Sequence, residues 1–225
     1  MLRPLLWTGL LGLVALAPAQ ISKQGNAYLM RTKYVKGQKL TYTVGTKANV
    51  PGMAAPITMA SPLVMLVKDW KKGVSTIEVK TGPVIQNGKP QGKVDTQLIQ
   101  IDSQNRVIKG KEGYEAFASF SFPAGPVKVG QTWKSKLSMA TPMGGLDLDA
   151  VYKFVGVRQI AGKTVAEIAS TFTGNFSGKV TGKGLTRLMV SDGSIASSQA
   201  TMNIAIKMGD GPAQMVTSVS TVTRT

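Results

Sequence analysis

Residues 146–154 read LDLDAVYKF, and every second position in this stretch is apolar. An extended chain places alternate side chains on opposite faces. One face of this segment therefore carries Leu146, Leu148, Ala150, Tyr152 and Phe154. Asp147, Asp149 and Lys153 occupy the other face. The alternation predicts a β-strand with one buried and one solvent-exposed face, as antiparallel sheets commonly have.

The same alternation recurs along the chain. It is found in KLTYTV (39–44), VSTIEVK (74–80), TWKSKLSM (132–139) and SQATMNIAIKM (198–208). Turn signals that supply positive φ angles separate the runs: Lys72-Gly73, Asn87-Gly88, Gly162-Lys163, Asp192-Gly193 and Gly209-Asp210-Gly211. These features predict an all-β, mostly antiparallel fold of about ten strands.

One segment has a helical pattern. In EGYEAFASFSF (112–122), Tyr114, Phe117 and Phe120 recur at a spacing that keeps one helical face, and Pro123 follows as a stop. The alternative is a further strand, because Phe120 and Phe122 alternate with serines in the tail FASFSF. We expect at most one short helix.

Two stretches of the chain resemble each other. YVKGQKLTYTV (34–44) and FPAGPVKVGQTWKSKL (122–137) both place a Gly-Gln pair before an alternating run with an aromatic residue. Further along the chain, Gly73 aligns with Gly162 and Val107 aligns with Ile195, in the same order and at similar sequence offsets. The pattern predicts two pseudo-repeats, about 28–122 and 123–225, within one β domain spanning 20–225. Chance similarity of two β-rich segments is the alternative.

A sheet built from two such units must curl, close or be covered on its apolar face. We therefore expect a large curved antiparallel sheet, either a half-barrel or barrel-like.

Residues 1–19 have the features of a cleaved signal peptide. Arg3 precedes a mainly apolar run from Leu5 to Leu16, and Ala17-Pro18-Ala19 precedes Gln20. The alternative, an uncleaved anchor, needs about 20 apolar residues, more than this run supplies. The sequence thus predicts an exported protein that is soluble after cleavage. With no cysteine in the chain, neither a lipobox thiol nor a disulfide is available.

The chain is strongly basic, with 27 Lys and Arg against 11 Asp and Glu and a net charge of +16. The charge is spread over both halves, and the densest cluster is Lys68, Lys71 and Lys72. A positive field favours anionic membrane or cell-wall surfaces, and these lysines are candidate contacts. The alternative is a solvated lysine surface that confers solubility. Nucleic acid is disfavoured as a partner, because no stacking or groove-reading motif is present.

The stretch FPAGPVKVGQTWKSKL, followed by GKTVAEI and GKGLTRLMVSDGSIASSQATMNIAI, resembles an uncharacterised family of exported bacterial proteins. The shared element is Pro-x-x-Pro-Val-x-x-Gly-x-x-Trp, here Pro123, Pro126, Val127, Gly130 and Trp133. The chain is more distantly similar to half-barrel envelope proteins that include lipoprotein carriers. The resemblance covers residues 120–208 and implies the periplasm or surface of a bacterium. It brings no catalytic residues.

Residue types limit the chemistry. Without His and Cys, a Ser-His-Asp triad, thiol nucleophiles and nearly all zinc sites are excluded. No Ser-x-x-Lys element occurs. Asp147 and Asp149 would share a strand face about 7 Å apart, as a cation site or carboxylate pair would need. The alternative is a polar outer face. We expect no catalysis, no cofactor and no resident metal.

A curled sheet with little helix to cover it leaves its apolar face to pack on itself, meet a partner or hold a ligand. Ten methionines beyond Met1 suit an adaptable apolar surface or an irregular core. The candidate ligand-binding residues are Trp133, Leu137, Met139, Tyr152, Phe154, Met202, Ile204 and Ile206. The leading hypothesis is binding of an apolar or amphiphilic molecule, or a lipidated partner. The competing hypothesis is a structural or adhesive envelope protein whose concavity is filled by its own side chains.

Overall fold

The structure is a computed structural model that describes residues 20–110, 120–141, 144–175, 178–206 and 213–225. For residues 138–141 and 144–146 it describes the backbone alone. The predicted signal peptide and most of the predicted helical segment 112–122 lie outside the described residues. The part of that segment from Phe120 to Phe122 is neither helix nor strand, and no helix occurs in the described ranges.

Fifteen strands form in the described part of the chain. Those of the first half are β1 Ile21–Gln24, β2 Ala27–Met30, β3 Lys39–Asn49, β4 Ile57–Lys71, β5 Val74–Thr81, β6 Val84–Gln86, β7 Lys89–Gln91, β8 Asp95–Asp102 and β9 Val107–Lys109. Those of the second half are β10 Thr132–Thr141, β11 Gly144–Ile160, β12 Lys163–Asn175, β13 Lys179–Met189, β14 Ile195–Ile206 and β15 Gln214–Arg224.

All strand pairs are antiparallel, and 13 strands belong to one sheet. The order is β10-β11-β12-β13-β14-β15-β3-β4-β5-β8-β9, while β6 pairs with β4 and β7. Strands β1 and β2 form a separate hairpin. The end strands β9 and β10 do not pair with each other, so the sheet is open. The prediction of an all-β, curved antiparallel sheet is confirmed in its half-barrel form.

The two halves share one connectivity. In sheet order, β3-β4-β5-β8-β9 of the first half corresponds to β10-β11-β12-β13-β14 of the second. The C-terminal strand β15 joins them by pairing with β3, from Thr217 opposite Asn49 to Arg224 opposite Tyr42. The β15–β3 ladder thus joins the strands of the two halves into one continuous sheet.

The Gly-Gln turns that precede β3 and β10 have the same hydrogen bonds. The backbone N–H of Gly37 donates to the carbonyl oxygen of Val67 at 2.8 Å, and that of Gly130 donates to Phe154 at 2.8 Å. The side-chain oxygen of each glutamine accepts a backbone N–H three residues earlier, at 3.1 Å for Gln38 and 3.0 Å for Gln131. Each of the two accepting residues, Val67 and Phe154, is followed by a β-bulge in its strand.

Two-residue hairpin turns connect β4 to β5 and β11 to β12. The first is Lys72-Gly73, with φ angles of 52° and 79°. The second is Ala161-Gly162, with φ angles of 48° and 74°. The sequence prediction of Gly162-Lys163 was wrong by one residue, because Lys163 already pairs with Ile160 in the ladder. Two successive positive φ angles match the twist of the flanking strands.

The inner face of the sheet carries the core. Leu137 of β10 and Val222 of β15 line one cavity although they are five strands apart in the sheet. A flat sheet would separate them by about 24 Å at 4.8 Å per strand, so the sheet curls strongly. The core forms two clusters, one in each half, and Ile195 packs against both.

The segment 20–34 packs at the end of the sheet that carries the turns 103–106 and 190–194. Its backbone donates from Thr32 to Ser103 at 2.8 Å and from Gln20 to Val190 at 3.0 Å. Ile21 and Met30 are fully buried in the second-half cluster. The guanidinium of Arg31 donates to the carbonyl oxygens of Pro123 and Ala124. This segment therefore links the turns of both halves.

Candidate ligand cavity

Strand register places the predicted ligand-binding residues on the inner face. Trp133 is opposite Tyr152, and Leu137 is opposite Leu148. On β14, Met202 and Ile204 alternate with outward-facing Thr201 and Asn203. The side chain of Met139 lies outside the described residues, although its backbone pairs with Leu146.

An aromatic cluster covers the β10–β11 end of the inner face. The ring of Phe120 lies 4.9 Å from Tyr152 and 6.0 Å from Trp133, in edge-on geometry. The indole N–H of Trp133 donates to the carbonyl oxygen of Ser121 at 2.9 Å. The amide of Asn105 donates to the carbonyl oxygen of Phe120 at 2.8 Å. These bonds hold the segment 120–122 across the inner face between the halves.

The inner face encloses two neighbouring cavities. The larger has a volume of about 390 Å³ and lies mainly in the first half. Its wall is formed by Tyr34, Tyr42, Val44, Leu63, Met65, Asn105, Phe120, Phe122, Leu188, Gly193, Ile195, Ser220 and Val222. The smaller, of about 180 Å³, lies in the second half. Its wall is formed by Phe120, Leu137, Leu148, Tyr152, Ser170, Phe172, Thr186, Ile195, Ser198, Gln199, Ala200, Met202, Ser220 and Val222.

Four residues belong to both walls: Phe120, Ile195, Ser220 and Val222. Phe120 belongs to the segment 120–122, and the other three residues belong to β14 and β15, which lie where the two halves meet. The cavities are therefore adjacent, and these four side chains form the partition between them.

The larger cavity has a low-dielectric wall. Burial raises the pKa of Tyr42 to about 12, an effect that Arg224 opposes and Asp192 reinforces. Burial also raises the pKa of Tyr34 far above its ordinary value. Arg224 lies on the inner face of β15 and donates to Ser194 at 2.8 Å and to Asp192 at 3.4 Å. The charges near the tyrosines are thus paired with each other.

Three of the predicted ligand-binding residues line a cavity, namely Leu137, Tyr152 and Met202. Trp133 and Ile204 are partly buried and pack against the second-half core. Phe154 is fully buried against Tyr28, with ring centroids 5.1 Å apart. Ile206 is half-buried at the end of β14 and lines neither cavity.

Sequence reasoning missed the larger cavity. Two of its wall residues, Tyr42 and Val44, lie on the predicted buried face of the 39–44 strand. Leu63 and Met65 come from β4, where the alternation of Leu63, Met65 and Val67 was the available signal.

The three candidate surface lysines lie at or near the tip of the β4–β5 hairpin. The ammonium of Lys68 forms an ion pair with Glu78 at 3.2 Å. Lys71 and Lys72 are exposed, and Trp70 beside them is 43% exposed. Cationic and aromatic side chains therefore project together from this tip.

Among the described residues, no third acidic side chain joins Asp147 and Asp149 as a cation ligand. Both lie on the outer face, and Asp149 is opposite Lys136. No group of three or more acidic side chains with metal-binding geometry occurs among the described residues. A helix with the length and hydropathy of a membrane span is likewise absent from the part of the chain that the structure describes.

Solved structures of other proteins include distant likenesses to this chain, two of which are described below. No family model matches the chain, and no curated protein matches it. The M. tuberculosis protein Rv2717c has a TM-score of 0.35 and 11% identity, covering 82% of this chain and 91% of its own. A Bacteroides fragilis protein described as exported, with a YmcC-like fold, has a TM-score of 0.38 and 10% identity, covering 84% and 96%. At such low TM-scores neither structure carries an argument about function.

Proposed function

We propose that this protein is a non-catalytic exported envelope protein that binds an apolar or amphiphilic molecule, a lipid or a lipidated partner, in the concavity of its sheet. The observation that supports this most is the pair of adjacent cavities on the inner face, of about 390 Å³ and 180 Å³. Sites for small apolar ligands are concave, mostly apolar and a few hundred Å³ or more in volume.

The lining fits such a ligand. Aromatic and aliphatic side chains from both halves dominate the walls, and Met65 and Met202 are flexible enough to adapt to ligand shape. The neutral polar side chains are few and can orient one polar group. The described wall residues include hydroxyl groups but no His, Lys, Asp or Glu that could act as a base, so binding is favoured over catalysis.

A cavity-filling variant tests the proposal. Nile red, an uncharged probe that fluoresces in apolar surroundings, is titrated into the unmodified protein and into Val44→Trp. Val44 lines the larger cavity, so we expect the bulkier ring to weaken binding about tenfold or more. Thr43→Trp is the matched control, because Thr43 is exposed on the outer face of the same strand. Absence of saturable binding by the unmodified protein, or equal binding by both variants, would count against the cavity.

A second candidate function is contact with an anionic envelope surface, in a structural or adhesive role. The exposed tip that combines Lys71 and Lys72 with half-exposed Trp70 favours it, since Trp is enriched at membrane interfaces and each lysine near an anionic bilayer contributes about 1 kcal/mol.

Cosedimentation with phosphatidylglycerol vesicles tests this second function. The variant Lys71→Ser with Lys72→Asn is expected to bind about tenfold or more weakly, and Asn tolerates the positive φ of position 72. The control removes two outer-face charges elsewhere, by Lys134→Ser with Lys153→Ser. Equal losses in both variants would mean that the net charge, and not this tip, governs binding.

A further inference from the structure

The walls of both cavities lack charged side chains. The chain carries 27 basic and 11 acidic residues. None of them is among the described residues that line either cavity. The polar wall residues are the hydroxyl groups of Ser, Thr and Tyr and the amides of Asn105 and Gln199. The charged groups nearest the larger cavity, Arg224 and Asp192 beside Tyr42, bond to each other and line neither wall.

Three wall hydroxyls, those of Thr186, Ser198 and Ser220, have hydroxyl partners. The hydroxyls of Thr186 and Ser198 lie 2.9 Å apart, and those of Thr46 and Ser220 lie 3.3 Å apart. No fully buried side-chain nitrogen or oxygen in the described part of the chain lacks a hydrogen-bond partner. The wall can therefore share a hydrogen bond with a ligand hydroxyl or carbonyl, but none of its described residues supplies a charge opposite to that of an ionised ligand group.

The position of Ser220 indicates where a polar ligand atom would lie. Ser220 contributes to both walls, in the partition with Phe120, Ile195 and Val222. Ser220 is half-buried, and a ligand oxygen in contact with it lies between the two cavities. An ionised group placed there would lose part of its hydration and would meet no oppositely charged wall residue, which is unfavourable.

From these observations we infer that the ligand is an uncharged, two-armed lipid: its apolar arms occupy the two cavities, and its hydroxyl or carbonyl oxygens lie at the partition beside Ser220. The inference rests on the proposed binding function and names its ligand class. The raised pKa of Tyr42 is consistent with this, because it reports the same low-dielectric interior.

Matched short-chain lipids test the charge selectivity. Dioctanoylglycerol and dioctanoylphosphatidic acid have the same two acyl arms and differ in the charged phosphate. Each is used to displace Nile red from the unmodified protein, at high salt so that the basic exterior does not concentrate the anion. We expect dioctanoylglycerol to displace the probe at least tenfold more effectively.

Equal or better displacement by the phosphatidic acid would overturn the inference and leave the proposed binding function standing. If Nile red binds but neither lipid displaces it, the two-armed lipid class is overturned. If neither the probe nor the lipids bind, the proposed function itself fails.

A charge placed in the partition gives a second test. Ser220→Lys introduces an ammonium group between the cavities, and it is expected to reverse the preference so that phosphatidic acid displaces Nile red more effectively. Thr221→Lys adds the same charge to the exposed outer face of β15 and is expected to keep the preference for dioctanoylglycerol. The same reversal in both variants would contradict an interior polar site. If Ser220→Lys does not fold, the comparison on the unmodified protein decides the question.

Discussion

Replacement of Gly193 should lower the free energy of unfolding. Its φ angle is 70°, in the left-handed region that favours glycine. A Cβ atom there would also collide with the backbone carbonyl oxygen of Arg31, in the segment 20–34. This close approach is where the 190–194 turn meets the segment that connects both halves.

We expect Gly193→Ala to lower the free energy of unfolding by about 2–4 kcal/mol, since backbone strain of about 1 kcal/mol adds to the displacement of a packed segment. Gly88→Ala is the matched control, because Gly88 has a φ of 82° but open space around its Cα. It should cost only about 1 kcal/mol. Urea unfolding followed by circular dichroism measures both. Equal losses would mean that the contact with Arg31 contributes nothing.

At the scale of elements, the two Gly-Gln turns have one hydrogen bond in common, and the first turn forms an additional one. In both turns the glutamine side-chain oxygen accepts a backbone N–H. Gln38 has a further contact, because its Nε2 donates to the carboxylate of Asp192 at 3.0 Å. The first-half turn is thus tied to the 190–194 turn of the second half.

Replacement by glutamate distinguishes these roles, since glutamate keeps the accepting oxygen and loses the amide donor. We expect Gln131→Glu to change the free energy of unfolding by less than about 0.5 kcal/mol. Gln38→Glu sets a carboxylate against Asp192 and should destabilise by about 1–3 kcal/mol. Chemical unfolding at neutral pH measures the difference. A loss in Gln131→Glu as large as that in Gln38→Glu would contradict the assigned role of Asp192.

The long strands could be predicted from sequence because each has a locally visible alternation. The runs 39–44, 74–80, 132–139 and 146–154 lie within observed strands, as does the described part, 198–206, of the run 198–208. The short strands β1, β2, β6, β7 and β9 have three or four residues each, too few for an alternation to be recognised. The count of about ten strands was therefore too low.

The cavities were predicted only in part, and the reason is topological. Leu137, Tyr152 and Met202 were found because they lie on the buried faces of recognised strands. The wall of the larger cavity brings Tyr42 and Leu63 together with Leu188 and Val222. Their proximity depends on the pairing of β15 with β3, between the two ends of the chain. No local pattern specifies such a pairing.

For the whole molecule, the two core clusters do not imply two independent folding units. The halves share the β15–β3 ladder, and Ile195 packs against both clusters. The segment 120–122 also bonds to both, through Asn105 in the first half and Trp133 in the second. Neither half can therefore unfold without exposing the apolar surface of the other.

We expect a single cooperative unfolding transition, which tryptophan fluorescence can test in the chain from residue 20 onward. With Trp70→Phe, Trp133 reports on the second half; with Trp133→Phe, Trp70 reports on the first. The two variants differ in stability, so each fluorescence curve is compared with the circular dichroism of the same protein. Coincident curves in both variants would confirm coupling across the β15–β3 ladder. A fluorescence transition of Trp133 that precedes the loss of sheet signal would instead mean that the second half unfolds alone, and that the partition between the cavities opens before the sheet separates.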